Sequence, residues 1–517
     1  LTSKAAGLYT RLESFREPFL ELAREAARLT IPSLMRESGA AAGGHLDLPV
    51  QTLGAEGLNN LASKLTLGLF PPGQAFFRFT VSPSDEIALG QTETGMEEVQ
   101  QILGLIEREV TAAFETENSR DQLHEALLHT ALTGNGLLYL PPKSKDLEFF
   151  RLDQYVVERD PSGNLLTVVT KESVDPDTLP AEMRDLLPKD GTEGSTGGAN
   201  RPVDLYTVYE LKDGMWYGFQ EVAGVPVPGS DGKYTKDELP FLALRWSPVA
   251  KEYYGRGHIE LHMGALRSLD SLTNSIVKGS AAAARTLLGV NPNAVGFSAT
   301  DMARLPNGAV FTGREEDYWF LRTDKAQDFA VAASTAERLE RSLSRAFLLN
   351  SSVQRNAERV TATEIRLLAQ ELESALGGVF ALLRAEFQLP IVRWLLRRLK
   401  AEGRVQALPD GVEITVLTGL EALGRGQEAE KLRLAAEVAQ SMFPNGEALQ
   451  YFDSAVMVRR IFDSFGVPNV DALLKSEEEL AQEAAEARAQ ALVTEGAPAL
   501  NQVAQAAAAL QQQQAAQ

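Results

Sequence analysis

At 517 residues the chain is long enough for a large buried core and more than one compact region, and its net charge of −20 argues against a protein that grips nucleic acid over its whole surface. It contains no cysteine, which excludes disulfides, thiolate metal sites and thiol nucleophiles and fits assembly in a reducing cytoplasm. No window approaches the roughly eighteen unbroken apolar residues of a membrane span, and Lys4 to Arg16 is amphipathic without the apolar core of a signal peptide, so a soluble chain with no membrane partner is expected.

Residues 8 to 34 read as a helical entry. Tyr9, Leu12 and Phe15 form one stripe, Pro18 is placed to start a second segment, and Ile31-Pro32 ends it. After a Gly/Ala-rich loop through Gly44, the spacing predicts a helix from Thr52 to Leu69, with Leu53, Leu58, Leu61, Leu65 and Leu69 inward and a stop at Pro71-Pro72-Gly73. Phe76, Phe77 and Phe79 open a short strand as core aromatics. Helices follow at Glu97 to Phe114 and Arg120 to Leu132, the second closed by Gly134-Asn135-Gly136.

A β region begins at Leu137 to Leu140. Tyr155 to Arg159 and Leu165 to Thr170 alternate across the turn Asp160-Pro161-Ser162-Gly163-Asn164, which predicts a hairpin. Further strands are expected at Leu205 to Leu211, Trp216 to Glu221 and Phe241 to Arg245, after a Gly-rich, poorly patterned and mobile loop at about 190 to 202.

From Tyr254 to Lys400 the pattern is helix, β insert, helix, polar loop, long helix. Ile259, Met263, Leu266, Leu269, Leu272 and Ile276 recur at spacings of three and four, ending in Ala281 to Ala284. A second run carries Ala332, Ala336, Leu339, Leu343 and Phe347 on one stripe, with Glu337, Arg338, Glu340, Arg341 and Arg345 on the others. Between the two, the turn residues Gly289, Pro292, Gly296, Pro306, Asn307, Gly308 and Gly313 forbid helix and suit short strands. A polar stretch, Ser351 to Arg359, leads to a helix from Thr361 to Lys400, started by Thr361 and Glu364 at capping-box spacing and interrupted by Gly377-Gly378, a kink or a close packing site. Arg393, Arg397, Arg398 and Lys400 at its end complement the helix dipole. One strand at Val412 to Leu417 and helices from Glu428 to Met442, Ala448 to Phe465 and Val470 to Leu492 complete the chain before an Ala/Gln tail from Asn501.

No enzyme motif survives inspection. His124 and His129 stand five apart, not the four that puts two zinc ligands on one helical face. His258 and His262 have that step, but Glu260 does not directly follow the first histidine, and both read as ordinary helix residues. There is no GxxxxGK[ST] phosphate loop and no GxSxG elbow. Asp153, Glu158 and Asp160 lie in and beside a hairpin whose turn chemistry explains them. No cofactor and no metal site are expected.

Four long strings in order along the chain are similar to one family. They are Gly54-Ala55-Glu56-Gly57-Leu58-Asn59-Asn60-Leu61-Ala62-Ser63-Lys64-Leu65, Gly134-Asn135-Gly136-Leu137-Leu138-Tyr139-Leu140, Leu349 to Arg355 with Glu358 to Arg366, and Thr418-Gly419-Leu420-Glu421-Ala422-Leu423-Gly424-Arg425-Gly426-Gln427. Together they resemble the portal (head-to-tail connector) proteins of short-tailed bacteriophages over nearly the whole chain.

The resemblance implies an α+β, mainly α, portal fold assembled as a dodecameric ring at one capsid vertex, in the virion and, during assembly, the host cytoplasm. It implies a wing at 1–256, stem helices at 257–285 and 329–350 flanking a clip at 286–328, a tunnel loop at 351–360, wing helix and strand at 361–427, crown helices at 428–500 and a tail at 501–517. Double-stranded DNA would pass through the ring, driven by the terminase large subunit, with a tail adaptor docking later and scaffolding and capsid proteins as further partners. The DNA-channel residues it points to are Gln354, Arg355, Asn356, Glu358 and Arg359 in the loop and Glu337, Arg338, Arg341 and Arg345 on the stem. Without the resemblance, Arg355 and Arg359 are ordinary exposed arginines of an interhelix loop, and the acidic, helical chain equally suits a scaffold or adaptor that binds only other proteins.

Overall fold

The computed structural model describes residues 4–36, 44–72, 76–81, 93–116, 119–141, 146–178, 202–283, 287–293, 299–302, 304–306, 309–310, 314–321, 326–349, 362–406 and 412–416. The chain divides into two compact units, Leu1–Leu420 and Glu421–Gln517, and all described residues belong to the first. The expected mobile loop at about 190 to 202, apart from Pro202, the expected tunnel loop, the crown helices and the tail therefore lie outside the described residues.

The elements are mixed helix and sheet, mostly helical. In chain order they begin with α1 (Lys4–Arg28), α2 (Leu53–Leu69), β1 (Phe77–Val81), α3 (Glu93–Thr116), α4 (Ser119–Thr133), β2 (Asn135–Tyr139) and β3 (Glu148–Phe150). The strands β4 (Tyr155–Arg159), β5 (Leu165–Val174), β6 (Val203–Lys212), β7 (Met215–Val222), β8 (Val225–Pro226), β9 (Gly232–Thr235), β10 (Phe241–Arg245), β11 (Ser247–Pro248) and β12 (Gly255–Arg256) follow. Then come α5 (His258–Ala283), β13 (Leu287–Val290), the one-turn α6 (Ala299–Met302), β14 (Tyr318–Leu321) and α7 (Ala326–Ala346). The last are α8 (Ala362–Leu376), α9 (Gly378–Leu383), a π-helical turn (Arg384–Gln388), α10 (Leu389–Ala401) and β15 (Val412–Val416).

Period-two alternation builds the six-stranded sheet, ordered β4-β5-β6-β7-β8 with β9 also on β7. Val156, Val169 and Val208 stand opposite one another across three strands and pack on Tyr9 and Leu12 of α1. Val157, Val168 and Tyr209, one residue along, face the main core. The expected hairpin forms, with a register shift between Glu158 and Arg159. A three-stranded sheet, β10-β2-β3, lies in the main core, and β1 pairs antiparallel with β15, from Phe77↔Val416 to Val81↔Val412.

Two expectations change, and the choice left open at Gly377-Gly378 falls to a kink. Pro18 starts no second segment: α1 runs through it, because Tyr9 and Leu12 on one side and Leu20 and Ala23 on the other are all buried, and packing outweighs the backbone bond that proline forfeits. A helical turn, α6, forms within the insert expected to be free of helix, in the stretch between Gly296 and Pro306 that has neither glycine nor proline. The helix expected from Thr361 to Lys400 is two rods bent by 111° at Gly377, whose φ of +44° and ψ of −111° suit glycine. The π turn beyond it aims Phe387 at Phe70, with ring centroids 5.3 Å apart, and lets the Gln388 side-chain amide donate to the Leu69 carbonyl at the end of α2. Among the described residues, no single helix is long and apolar enough to cross a membrane.

Candidate DNA-channel surface

Helices α5 and α7 form an antiparallel pair: His258 meets Ala346 and Phe347 at one end, and Gly279 meets Phe329 at the other. Burial fades along both. On α5, Ile259, Met263, Leu266 and Leu269 are buried, whereas Leu272 and Ile276 are half-buried. On α7, Phe347, Leu343 and Ala336 are buried, and Leu339, Ala332 and Phe329 are half-buried. The pair is therefore rooted in the core at the His258/Phe347 end and leaves it toward β13 and β14, which pair from Leu287↔Leu321 to Val290↔Tyr318.

Glu337, Arg338, Arg341 and Arg345 are all exposed. At about 100° per residue they share one arc of α7, opposite the stripe that packs on α5. Arg341 donates to Glu337 at 3.2 Å, but with side chains 74% and 65% exposed this pair contributes little to stability and leaves the guanidinium reachable. Glu340 is exposed as well, so the surface carries three cations among two carboxylates. Gln354, Arg355, Asn356, Glu358 and Arg359 lie outside the described residues, as does Thr361 of the expected capping box.

One side chain joins the described helices on either side of that loop. After α7 the chain makes a Schellman turn, in which Leu349 N–H donates to the Ser344 carbonyl at 2.8 Å and Leu348 N–H to the Arg345 carbonyl at 3.2 Å. Leu348 takes the left-handed position usually left to glycine, at φ +57°. Helix α2 supplies the groups that hold it there. Asn60 Nδ2 donates to the carbonyls of Phe347 and Leu348 at 2.9 and 3.1 Å, and the buried Lys64 Nζ donates to the Leu348 carbonyl at 2.6 Å. The same ammonium reaches Glu371 of α8 at 3.2 Å, so Lys64 ties the end of α7 to the helix on the far side of the loop. Gly57, one turn before Asn60 on α2, leaves room for the Phe347 ring: a Cβ there would stand 2.5 Å from Phe347 Cγ.

Sequence reasoning missed this anchor, although a signal was present: Lys64 falls on the inward stripe of α2, three residues from Leu61 and beside Leu65, where an ordinary surface lysine would not sit. His258 is part of the same root. Its Nε2–H donates to the Ala346 carbonyl at 3.1 Å, its ring lies against Trp246, His262 and Phe347, and burial pushes its pKa down to about 4. Among the described residues, no group of three or more His, Asp or Glu side chains is placed to hold a metal ion.

Residues 2–472 match the family described as bacteriophage head to tail connecting protein. The chain is 38% identical to the portal protein of Escherichia phage T7 over 505 residues, covering 96% of this chain and 93% of the relative. It is 37% identical to the portal protein of Enterobacteria phage T3 over 483 residues (92% and 89% covered) and 30% identical to that of Enterobacteria phage SP6 over 508 residues (96% and 95% covered). Among solved structures, a chain of the virion of native gene transfer agent (GTA) particle aligns at a TM-score of 0.33 and 15% identity, covering 77% of this chain and 98% of that one, too slight a likeness to bear on the fold. A match that is co-linear over nearly the full length of several curated portal proteins settles the family: this chain belongs to the bacteriophage head-to-tail connecting proteins, the portal components of the phage virion.

Proposed function

We propose that copies of this chain form a dodecameric ring at one capsid vertex, through which double-stranded DNA enters during packaging and leaves during ejection, without a catalytic centre of its own. The observation that carries this reading is the outer face of α7, where Arg338, Arg341 and Arg345 are exposed opposite the stripe that roots the helix on α5. Repeated around a ring, each arginine becomes a circle of positive charge on an otherwise acidic protein. Sparse cations neutralise few phosphates and release few counterions, so each contact is weak and independent of sequence and the DNA can slide.

In this reading α5 and α7 are the stem and β13, α6 and β14 belong to the clip. Residues 351–360, with Arg355 and Arg359, form the tunnel loop carried on the Lys64 anchor. The sheets with α1 to α4 and α8 to α10 make the wing, and 428–500 the crown. The terminase large subunit and then a tail adaptor dock on the ring, with scaffolding and capsid proteins around it.

The test is packaging in vitro with purified terminase and DNA, using the variant with Arg338, Arg341 and Arg345 all changed to Gln, alongside Arg355→Glu. Rings that assemble normally by electron microscopy but package or retain less DNA support the conduit. Rings that package at the parental rate would assign these residues no part in DNA passage and leave a scaffold that binds only proteins.

A further inference from the structure

The segment that enters α2 carries apolar side chains that no core cluster covers. Residues 44–49 form no helix and pair with no strand among the described residues, and Leu48 and Val50 are 73% and 44% exposed. The segment is nonetheless held. Asp270 of α5 accepts the backbone N–H groups of Val50 and Gln51 at 2.7 and 3.2 Å, and the Gln51 side-chain amide donates to the Leu29 carbonyl at 2.6 Å. Val277, two turns beyond Asp270 on the same side of α5, is exposed as well. A fixed segment thus brings Leu48 and Val50 to a flank of α5 that already carries Val277, and the three make an uncovered apolar patch.

The other flank of α5 is built differently. The side that meets α7 carries His258, His262 and Gly279. At about 100° per residue, Asp270 and Val277 lie roughly a third of a turn to one side of it, and Leu261, Gly264, Ser268 and Ser275 roughly a quarter turn to the other. Those four are all exposed, and a Cβ added at Gly264 would meet nothing within 4 Å. Beyond Leu261 that flank is therefore open down to the hydroxyls of Ser268 and Ser275. The charges are complementary too. Asp47 on the segment and Lys278 at the edge of the open flank are both exposed, and neither has an ion-pair partner among the described residues.

A protruding apolar flank and an open one on the same helix suit a head-to-tail contact between identical copies, each giving one flank and receiving the other. A partner of another kind would match one flank and leave the other bare. We propose that residues 44–50 and Val277 of one copy dock on the open α5 flank of the next copy, around Gly264, Ser268 and Ser275, with Asp270 positioning the segment for that contact. The contact rests on the ring reading given above.

Ultraviolet cross-linking of the purified full chain, with p-benzoyl-L-phenylalanine in place of Leu48, tests this. Cross-linked dimers and a ladder of higher species should appear, and mass spectrometry should place the joined peptide within α5. Leu48→Asp and Ser268→Arg should each lower the fraction of rings counted by electron microscopy about tenfold or more. Thr10→Asp, exposed on α1, should leave it within about twofold. Circular dichroism checks that each variant is folded, and Leu48→Ser, a milder change, should give an intermediate loss. If the parent protein forms no rings, the ring reading and this contact fall together. If it forms rings but the cross-link stays within one chain or lands outside α5, or folded Leu48→Asp assembles like the parent, the contact is wrong and the conduit stands.

Discussion

Replacing Lys64 by Met removes the ammonium that joins the end of α7 to α8 and keeps a stem of similar length in place, so no large cavity opens. The charged hydrogen bond to the Leu348 carbonyl, at 2.6 Å, contributes about 1.5–3 kcal/mol. The pair with Glu371, whose side chain is 30% exposed, is screened and adds at most about 1 kcal/mol. Asn60 still donates to the Leu348 carbonyl, so that acceptor keeps a partner, and the expected loss is about 2–3 kcal/mol. It falls on local opening of the Schellman turn, where the left-handed Leu348 already stores strain. Hydrogen exchange by mass spectrometry reads this directly: amides at 343–349 should exchange roughly 30- to 150-fold faster in Lys64→Met, with those of β5 to β7 unchanged. A change of less than about threefold in 343–349, in a folded variant, would show that Lys64 is a passenger and that Asn60 and the backbone bonds suffice.

Gly57→Ala should drive Phe347 from its seat on α2 at a cost of about 1–3 kcal/mol, visible as a lower thermal midpoint; an unchanged midpoint would mean that Phe347 has other room. His129 and His258 are each depressed by burial from 6.5 to about 4, so the unfolded chain takes up protons first as pH falls. Their contribution is complete above pH 6.5 and is lost progressively toward pH 4, by at most about 1.4 kcal/mol per pH unit for each histidine. Urea midpoints across that window should fall less steeply in His129→Phe than in the parent, and identical slopes would refute the assignment. Because the Glu337 and Arg341 side chains are largely exposed, Arg341→Gln should change stability by less than about 0.5 kcal/mol, and a larger loss would mean that this face of α7 carries structural load.

Elements whose information is local could be read from the residues alone. The inward positions of α5 and α7 follow from spacings of three and four, and the strands β4 to β7 from alternation and turn chemistry, because a residue's neighbours along the chain decide which face it shares. The charged arc of α7 was legible for the same reason. Tertiary structure decided what depends on partners far along the chain. Pro18 sits inside a helix because two core clusters bury α1 on both sides of it. Lys64 is an anchor because the carbonyl it caps lies 284 residues away. Arg397 and Arg398 could be read locally only as dipole complements, and they became walls of a cavity once β9 and the segment after it folded over α10. Periodicity specifies which face turns inward, but the group met there, an orphan carbonyl or an indole, is chosen by long-range packing alone.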